Sequence, residues 1–237
     1  MEKKIELYQV KDQTVNDAFD NMVVEVHLKK QMYGHQSFLL SGSEPGAGTT
    51  TMAINLAIAM AEAGRKTVIV DLDMRKEQKY KRLNRETEYG LAELLKENTA
   101  LDSVIYETNQ KNLDYIPAAG KVVENPVRLL CGNRIEQFLE ELKGKYDYIF
   151  IDMPSIHSAP DAKILAGKID GVIVVAAQGK TLKTRLKESV KSLKESGANV
   201  LGVVLNHVEK VEYKHYMKYY DYFKNLKYQK TVKSKKA

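Results

Sequence analysis

The sequence predicts an α/β fold: a mostly parallel sheet with helices on both faces, in three layers. Three observations carry the prediction. Apolar runs of strand length alternate with amphipathic stretches of helix length along residues 14–206. Most of those runs are apolar throughout, as strands buried on both sides are, instead of alternating with polar residues. One of them passes through a glycine-rich loop straight into a helix, reading SFLLSGSEPGAGTTTMAIN over residues 37–55. With 237 residues, 43% of them hydrophobic, the chain can bury a core of this kind in one large domain.

In chain order, residues 14–33 set Val15, Phe19, Met22, Val23 and Val26 on one helical face, which predicts an amphipathic helix ahead of the sheet and a candidate subunit contact. Phe38–Leu40 suit a buried strand. The helix starting at Thr49–Thr51 keeps apolar spacing to Ala63 and stops at Gly64. Thr67–Leu72 is a strand, Leu91–Leu95 a short helix, Leu113–Pro117 a short strand and Pro126–Leu142 a helix. Asp147–Ile151, Gly171–Ala177 and Val200–Asn206 read as strands, with helix Leu182–Glu195 between the last two. Residues 1–208 form the predicted domain, and 209–237 a basic, tyrosine-rich tail.

The formal charge of +6 is confined to that tail, where 9 Lys face 3 acidic residues, while residues 1–208 carry 28 basic and 28 acidic side chains. A general nucleic-acid surface is therefore not indicated. A tail that touches an anionic membrane or a partner, and a tail that is simply solvated, both fit. No apolar run reaches membrane-spanning length, and the opening MEKKIELYQVKD lacks a signal region, so the expectation is a soluble, intracellular protein. The lone Cys131 suits a reducing compartment.

The chemistry centres on the loop. Glycines at 42, 46 and 48 let backbone N–H groups converge on one spot, and the positive end of the following helix adds to the same anion site. Matched against G-x-x-x-x-G-K-[ST], Gly42 and Gly48 take the glycine places, Thr49 stands at the lysine and Thr50 supplies the magnesium-side hydroxyl. Asp71 and Asp73 leave the end of one apolar strand and Asp152 leaves another. Ligands of open α/β sheets bind at strand C-termini, and carboxylates there can hold Mg²⁺ through its water shell. A single such aspartate is often only a helix cap; three beside a glycine-rich loop point to a nucleotide with its metal. His27, His35, His157, His207 and His215 fall at no metal-ligand spacing, and Ser155 with His157 forms no hydrolase pattern.

These residues resemble the bacterial tyrosine kinases (BY-kinases) of capsule and exopolysaccharide synthesis, built on a deviant-Walker P-loop ATPase fold. The likeness rests on Ser43-Glu44-Pro45-Gly46-Ala47-Gly48, on Asp71, Asp73 and Arg75 in DLDMR, and on Asp152-Met153-Pro154. PAAG at 117–120, NPVRLL at 125–130 and GVVLN at 202–206 reinforce it. It implies a three-layer P-loop NTPase-like fold and ATP with Mg²⁺ as cofactors. Glu44, Pro45, Gly46, Ala47, Gly48, Thr49, Thr50 and Thr51 would surround the phosphates, and Asn206 the adenine. Thr50, Asp71 and Asp152 would hold the metal, Asp73 would take the tyrosyl proton, and Arg75 would steady the phosphates or Asp73. Tyr213, Tyr216, Tyr219, Tyr220, Tyr222 and Tyr228 match the family's autophosphorylated cluster; an aromatic helix face packed on the body is the competing reading. Implied partners are the cytoplasmic segment of a membrane adaptor or chain-length regulator, a phosphotyrosine phosphatase, and further copies in a homo-oligomer. The implied location is cytoplasmic, recruited to the inner face of the membrane.

Two departures qualify the resemblance. Thr49 replaces the lysine that reaches the β- and γ-phosphates, and Asp17, Asp20 and Val23 stand where E-x-x-R-x-x-R builds the family's ring. A pseudokinase-type regulatory module is thus the alternative to a weakened autokinase. A partitioning-type ATPase is disfavoured by Glu44, which stands where that group has its signature lysine, and by Arg75.

Overall fold

The structure, a computed structural model, describes residues 4–77, 83, 84, 86–97, 99–209 and 211–213. The chain divides into a body, residues 1–206, and a C-terminal unit, residues 207–237. In the body, β1 (Lys4–Ile5) leads to α1 (Gln13–Tyr33), β2 (Ser37–Gly42), α2 (Thr49–Glu62) and β3 (Thr67–Asp71). Then come α3 (Leu91–Glu97), α4 (Leu101–Val104), β4 (Tyr106–Thr108), β5 (Leu113–Ile116), α5 (Pro126–Leu130) and α6 (Arg134–Lys143). The body closes with β6 (Tyr148–Met153), α7 (Asp161–Ala166), β7 (Gly171–Ala177), α8 (Lys183–Glu195) and β8 (Val200–Asn206). The eight strands form one sheet in the order β1-β4-β5-β3-β6-β2-β7-β8, parallel except where β4 meets β5.

Alternation along each central strand divides the core between the two faces. Phe38, Leu40, Ile69, Phe150, Ile173 and Val175 point toward α1 and α2. Leu39, Val68, Val70, Ile149, Ile151 and Val174 point toward the helices that follow β3. Three layers result. α2 lies between α1 and the sheet, so nine of its residues are buried and it shows no polar face. α1 begins where Asp12 Oδ1 accepts from the N–H of Thr14 at 3.0 Å and ends at Gly34, whose φ of 74° few residues but glycine adopt.

The structure departs from the sequence reading in several places. β1, β4, α4 and α7 are short elements with too few residues to show a period. The single helix expected over 126–142 is two helices separated at Cys131–Asn133, where Gly132 has low helical propensity. β8, read as a strand over the same residues, is half exposed because it ends the sheet.

Asp170 ties the base of the sheet together. Its Oδ2 accepts from the backbone N–H of Gln36 and Ser37, both at 2.9 Å, and from Ser37 Oγ at 2.8 Å, while Lys143 donates to Oδ1 at 3.2 Å. Burial pushes the Asp170 carboxyl upward, but these donors and the lysine charge outweigh it and hold its pKa below the ordinary value. A lowered pKa means that the stabilisation is present above the unfolded-state value, near 3.9, and is lost as pH falls through the lower folded value. Asp170→Ala should therefore cost at least about 1.5–3 kcal/mol, the worth of a hydrogen bond to a charged group. Urea melts at neutral pH should show the loss, and the difference from the parent should shrink below about pH 4.

Candidate functional site

β6 lies between β3 and β2, and this placement assembles the site. In register Asp71 pairs with Asp152 across β3 and β6, and Asp152 with Leu40 across β6 and β2. Two carboxylates, each only 4% exposed, thus stand side by side at the C-terminal edge next to the strand that feeds the loop. Like charges so placed favour a cation between them. Among the described residues no three His, Cys, Asp or Glu form a metal cluster. Two carboxylates with the Thr50 hydroxyl nonetheless suit Mg²⁺, which keeps several waters and takes its remaining ligands from phosphate. The donor set fits Mg²⁺ bound to a nucleotide.

The loop follows from local chemistry. Gly46 and Gly48 have φ of 78° and 86°, and Gly48 is the N-cap of α2. The N–H of Met52 donates to Gly48 O at 3.0 Å, so the N–H groups of Thr49, Thr50 and Thr51 precede the helical ladder at its positive end. Gly42 is not the first glycine of the phosphate motif: five positions before Gly48 stands Ser43, and Gly42 lies one position earlier. Gly42 is instead needed for packing, because a Cβ there would sit 2.8 Å from Thr49 Oγ1 and 2.9 Å from Glu44 O. Thr49 is folded back over Gly42, half buried. From Ser43 to Thr51 the only charged side chain is Glu44, so the cradle offers backbone N–H groups and hydroxyls but no cation.

The loop is held from behind. Ser43 Oγ lies 2.9 Å from Ser189 Oγ on α8, and the N–H of Ser43 donates to Val175 O at 2.9 Å. Asn206 Nδ2 donates to Ala47 O at 2.9 Å, so the residue that the resemblance assigns to adenine braces the loop through its amide nitrogen.

The aspartate loop after β3 has its own supports. The N–H of Asp73 donates to Asp71 Oδ1 at 2.9 Å, which places Asp73 beside the carboxylate pair. Arg75, expected on the phosphates or Asp73, instead gives Nε and Nη2 to Asp161 at 2.9 Å each. Asp161 is fully buried, and this hydrogen-bonded pairing, with the Asp73 charge adding, raises the guanidinium pKa further against the lowering effect of burial. Its partner sits on α7, an element without a sequence signal. Tyr115 was likewise missed. Its hydroxyl donates to Asp71 Oδ2 at 3.2 Å, and burial first, then the charges of Asp71 and Asp152, push its pKa well above the ordinary value. The period of β5 shows Tyr115 as one more buried aromatic, and only the β3–β5 pairing brings it to Asp71.

The PAAG and NPVRLL motifs serve the scaffold. Pro117 O and Ala118 O accept from the N–H groups of Leu91 and Ala92 at the start of α3, and Pro126 opens α5. Among the tail tyrosines, Tyr213 is described, its N–H donating to Glu209 O at 2.8 Å. Tyr216, Tyr219, Tyr220, Tyr222 and Tyr228, with His215, lie outside the described residues. Among the described residues no helix is long and apolar enough to cross a membrane.

Residues 39–202 match a family model described as an AAA domain. The tyrosine-protein kinase CpsD of Streptococcus pneumoniae serotype 4 is 37% identical over 168 residues, 70% of this chain and 73% of that protein. The tyrosine-protein kinase ptk of Acinetobacter johnsonii is 28% identical over 210 residues, 88% of this chain and 28% of that one. The solved kinase domain of the Escherichia coli tyrosine kinase ETK superposes with a TM-score of 0.78 at 26% identity, over 82% of this chain and 76% of that one. The chain spans 27–30% of the length of three of the curated relatives it matches.

Tyr115→Phe removes one donor from Asp71 while keeping the ring. It should cost about 1.5–3 kcal/mol, read as a lower urea midpoint at an unchanged slope. A variant as stable as the parent would show that Tyr115 does not hold Asp71.

Proposed function

The chain belongs to the bacterial tyrosine kinase family, and from that membership we propose a nucleotide-binding regulator of capsule and exopolysaccharide synthesis whose phosphoryl transfer is weakened by Thr49. The observation that supports the reading is a glycine-rich loop leading into α2, with the strand-end carboxylates of Asp71 and Asp152 in register nearby and no cationic side chain on the loop.

In this reading Mg·ATP supplies the γ-phosphoryl group, with the metal drawing off part of its charge. The chain's own residues bind and orient. The loop from Glu44 through Pro45, Gly46, Ala47 and Gly48, with the N–H groups of Thr49, Thr50 and Thr51, receives the phosphate oxygens. Thr50, Asp71 and Asp152 hold the metal shell. Asp73 takes the proton of the acceptor tyrosine as its phenol oxygen bonds to phosphorus and the bond to the leaving diphosphate breaks. Arg75, held by Asp161, fixes the backbone that carries Asp73. Asn206 steadies the loop next to the base. Acceptors are Tyr213, Tyr216, Tyr219, Tyr220, Tyr222 and Tyr228, and a phosphatase restores them. The protein works in the cytoplasm at the membrane's inner face, where an adaptor's cytoplasmic segment completes the site.

Losing one charge-assisted hydrogen bond to phosphate costs on the order of 1.5–3 kcal/mol, roughly ten- to a hundredfold in binding, and more where charge develops in the transition state. Thr49 therefore also favours a second reading, a regulatory module that binds nucleotide and partner without transferring phosphate.

Purified chain and its Thr49→Lys variant, each incubated with Mg·ATP and an adaptor's cytoplasmic segment, separate these readings. Phosphotyrosine should be weak in the parent and rise at least about tenfold in the variant. The gain should vanish when Asp73→Asn is added. Strong, equal labelling of parent and variant would overturn the claim that Thr49 weakens transfer; a variant that binds nucleotide yet stays unlabelled would leave the regulatory module as the function.

A further inference from the structure

The sheet ends at β8, and among the described residues no strand pairs with its outer side. Its sequence, VLGVVLN, contains neither charge nor proline, the features that commonly blunt an edge strand. Asn206 turns its carbonyl toward β7, accepting from the N–H of Gln178 at 2.9 Å. Alternate residues of a strand face opposite neighbours, so Val203 and Leu205 turn N–H and C=O to the open edge. The two residues are 44% and 49% exposed. Alongside runs a groove of about 720 Å³ between α8 and β8, with Leu186, Val190 and Val203 on its apolar floor and Lys183, Lys187 and Lys194 on its rim. Among the described residues these three lysines form no ion pair, whereas Lys191 in the same groove reaches Glu195 at 3.7 Å.

We propose that this edge receives an extended acidic segment of a partner protein as an added strand along β8, with both apolar and acidic side chains on the face turned to α8. Charge decides between the occupants. The chain's own residues 209–237, with 9 Lys against 3 acids, carry the same sign as the rim. A second copy paired edge to edge would set two lysine rims against each other, and like charges so juxtaposed are costly. An acidic strand meets every requirement. Its main chain pairs with Val203 and Leu205, and on the face turned to α8 its apolar side chains cover the groove floor while its carboxylates reach the lysines. The surface is independent of phosphate chemistry and remains available in a chain with a weakened nucleotide site.

The test uses the full chain and two short fluorescein-labelled peptides, an acidic one of Val-Ser-Glu-Ser repeats, which sets valine and glutamate on one strand face, and a basic one with lysine in place of glutamate. Fluorescence anisotropy should show binding of the acidic peptide, weakening as salt rises, and none of the basic one. Hydrogen exchange at Val203 and Leu205 should be fast in the free chain and slow in the complex. Lys187→Glu with Lys194→Glu, exposed substitutions that leave circular dichroism unchanged, should weaken binding at least about tenfold. Failure of the acidic peptide to bind, equal binding of both peptides, or unchanged β8 exchange in the complex would overturn the proposal. So would slow β8 exchange in the free chain, with light scattering then assigning the cover to the chain's own tail (monomer) or to a second copy (dimer).

Discussion

The site depends on the backbone pairing that holds β6 between β3 and β2. Because hydrogen-bonded strands are about 4.8 Å apart, the register that pairs Asp71 with Asp152 and Asp152 with Leu40 fixes the distance between the carboxylates and the root of the loop. The helices packed on both faces hold that register, since a slip of one residue would turn Phe38, Leu40 and Phe150 from one core to the other. The candidate site thus rests on apolar packing remote from its polar groups. Asp170 at the opposite end secures the entry of β2 by the same logic, through hydrogen bonds from the backbone of Gln36 and Ser37.

Around that frame the polar supports are layered. Tyr115 and the N–H of Asp73 each occupy one oxygen of Asp71, Asp161 occupies two nitrogens of Arg75, and Asn206 occupies the carbonyl of Ala47. Each support keeps a buried or half-buried group hydrogen-bonded, which avoids the cost of leaving it unsatisfied. The frame does not depend on a charge at position 49. Thr49 packs over Gly42 with its hydroxyl turned into the loop, so the fold tolerates the absence of lysine. The packing that builds the fold therefore makes no demand on the charge at position 49.

The role of β8 in the site is met by the Asn206 contact with the loop, yet the strand also leaves an uncharged edge beside a lysine-rimmed groove.

By itself the sequence determined the fold class, the glycine-rich loop, Asp71, Asp73 and Asp152 at their strand ends, and the gap at Thr49. All of these are local patterns: apolar runs of strand length, helical periods, and motifs within a few consecutive residues. Even so, the pattern misassigned Gly42, whose need for glycine comes from the close approach of Thr49 and Glu44, and merged α5 with α6 across Gly132. Only the tertiary structure decided that Arg75 serves Asp161, that Tyr115 serves Asp71 and that Asn206 serves Ala47. These partners are separated by 86, 44 and 159 positions in the chain. No periodicity or spacing encodes such a meeting. It is set by the order in which strands lie in the sheet, and that order follows from the packing of the whole chain.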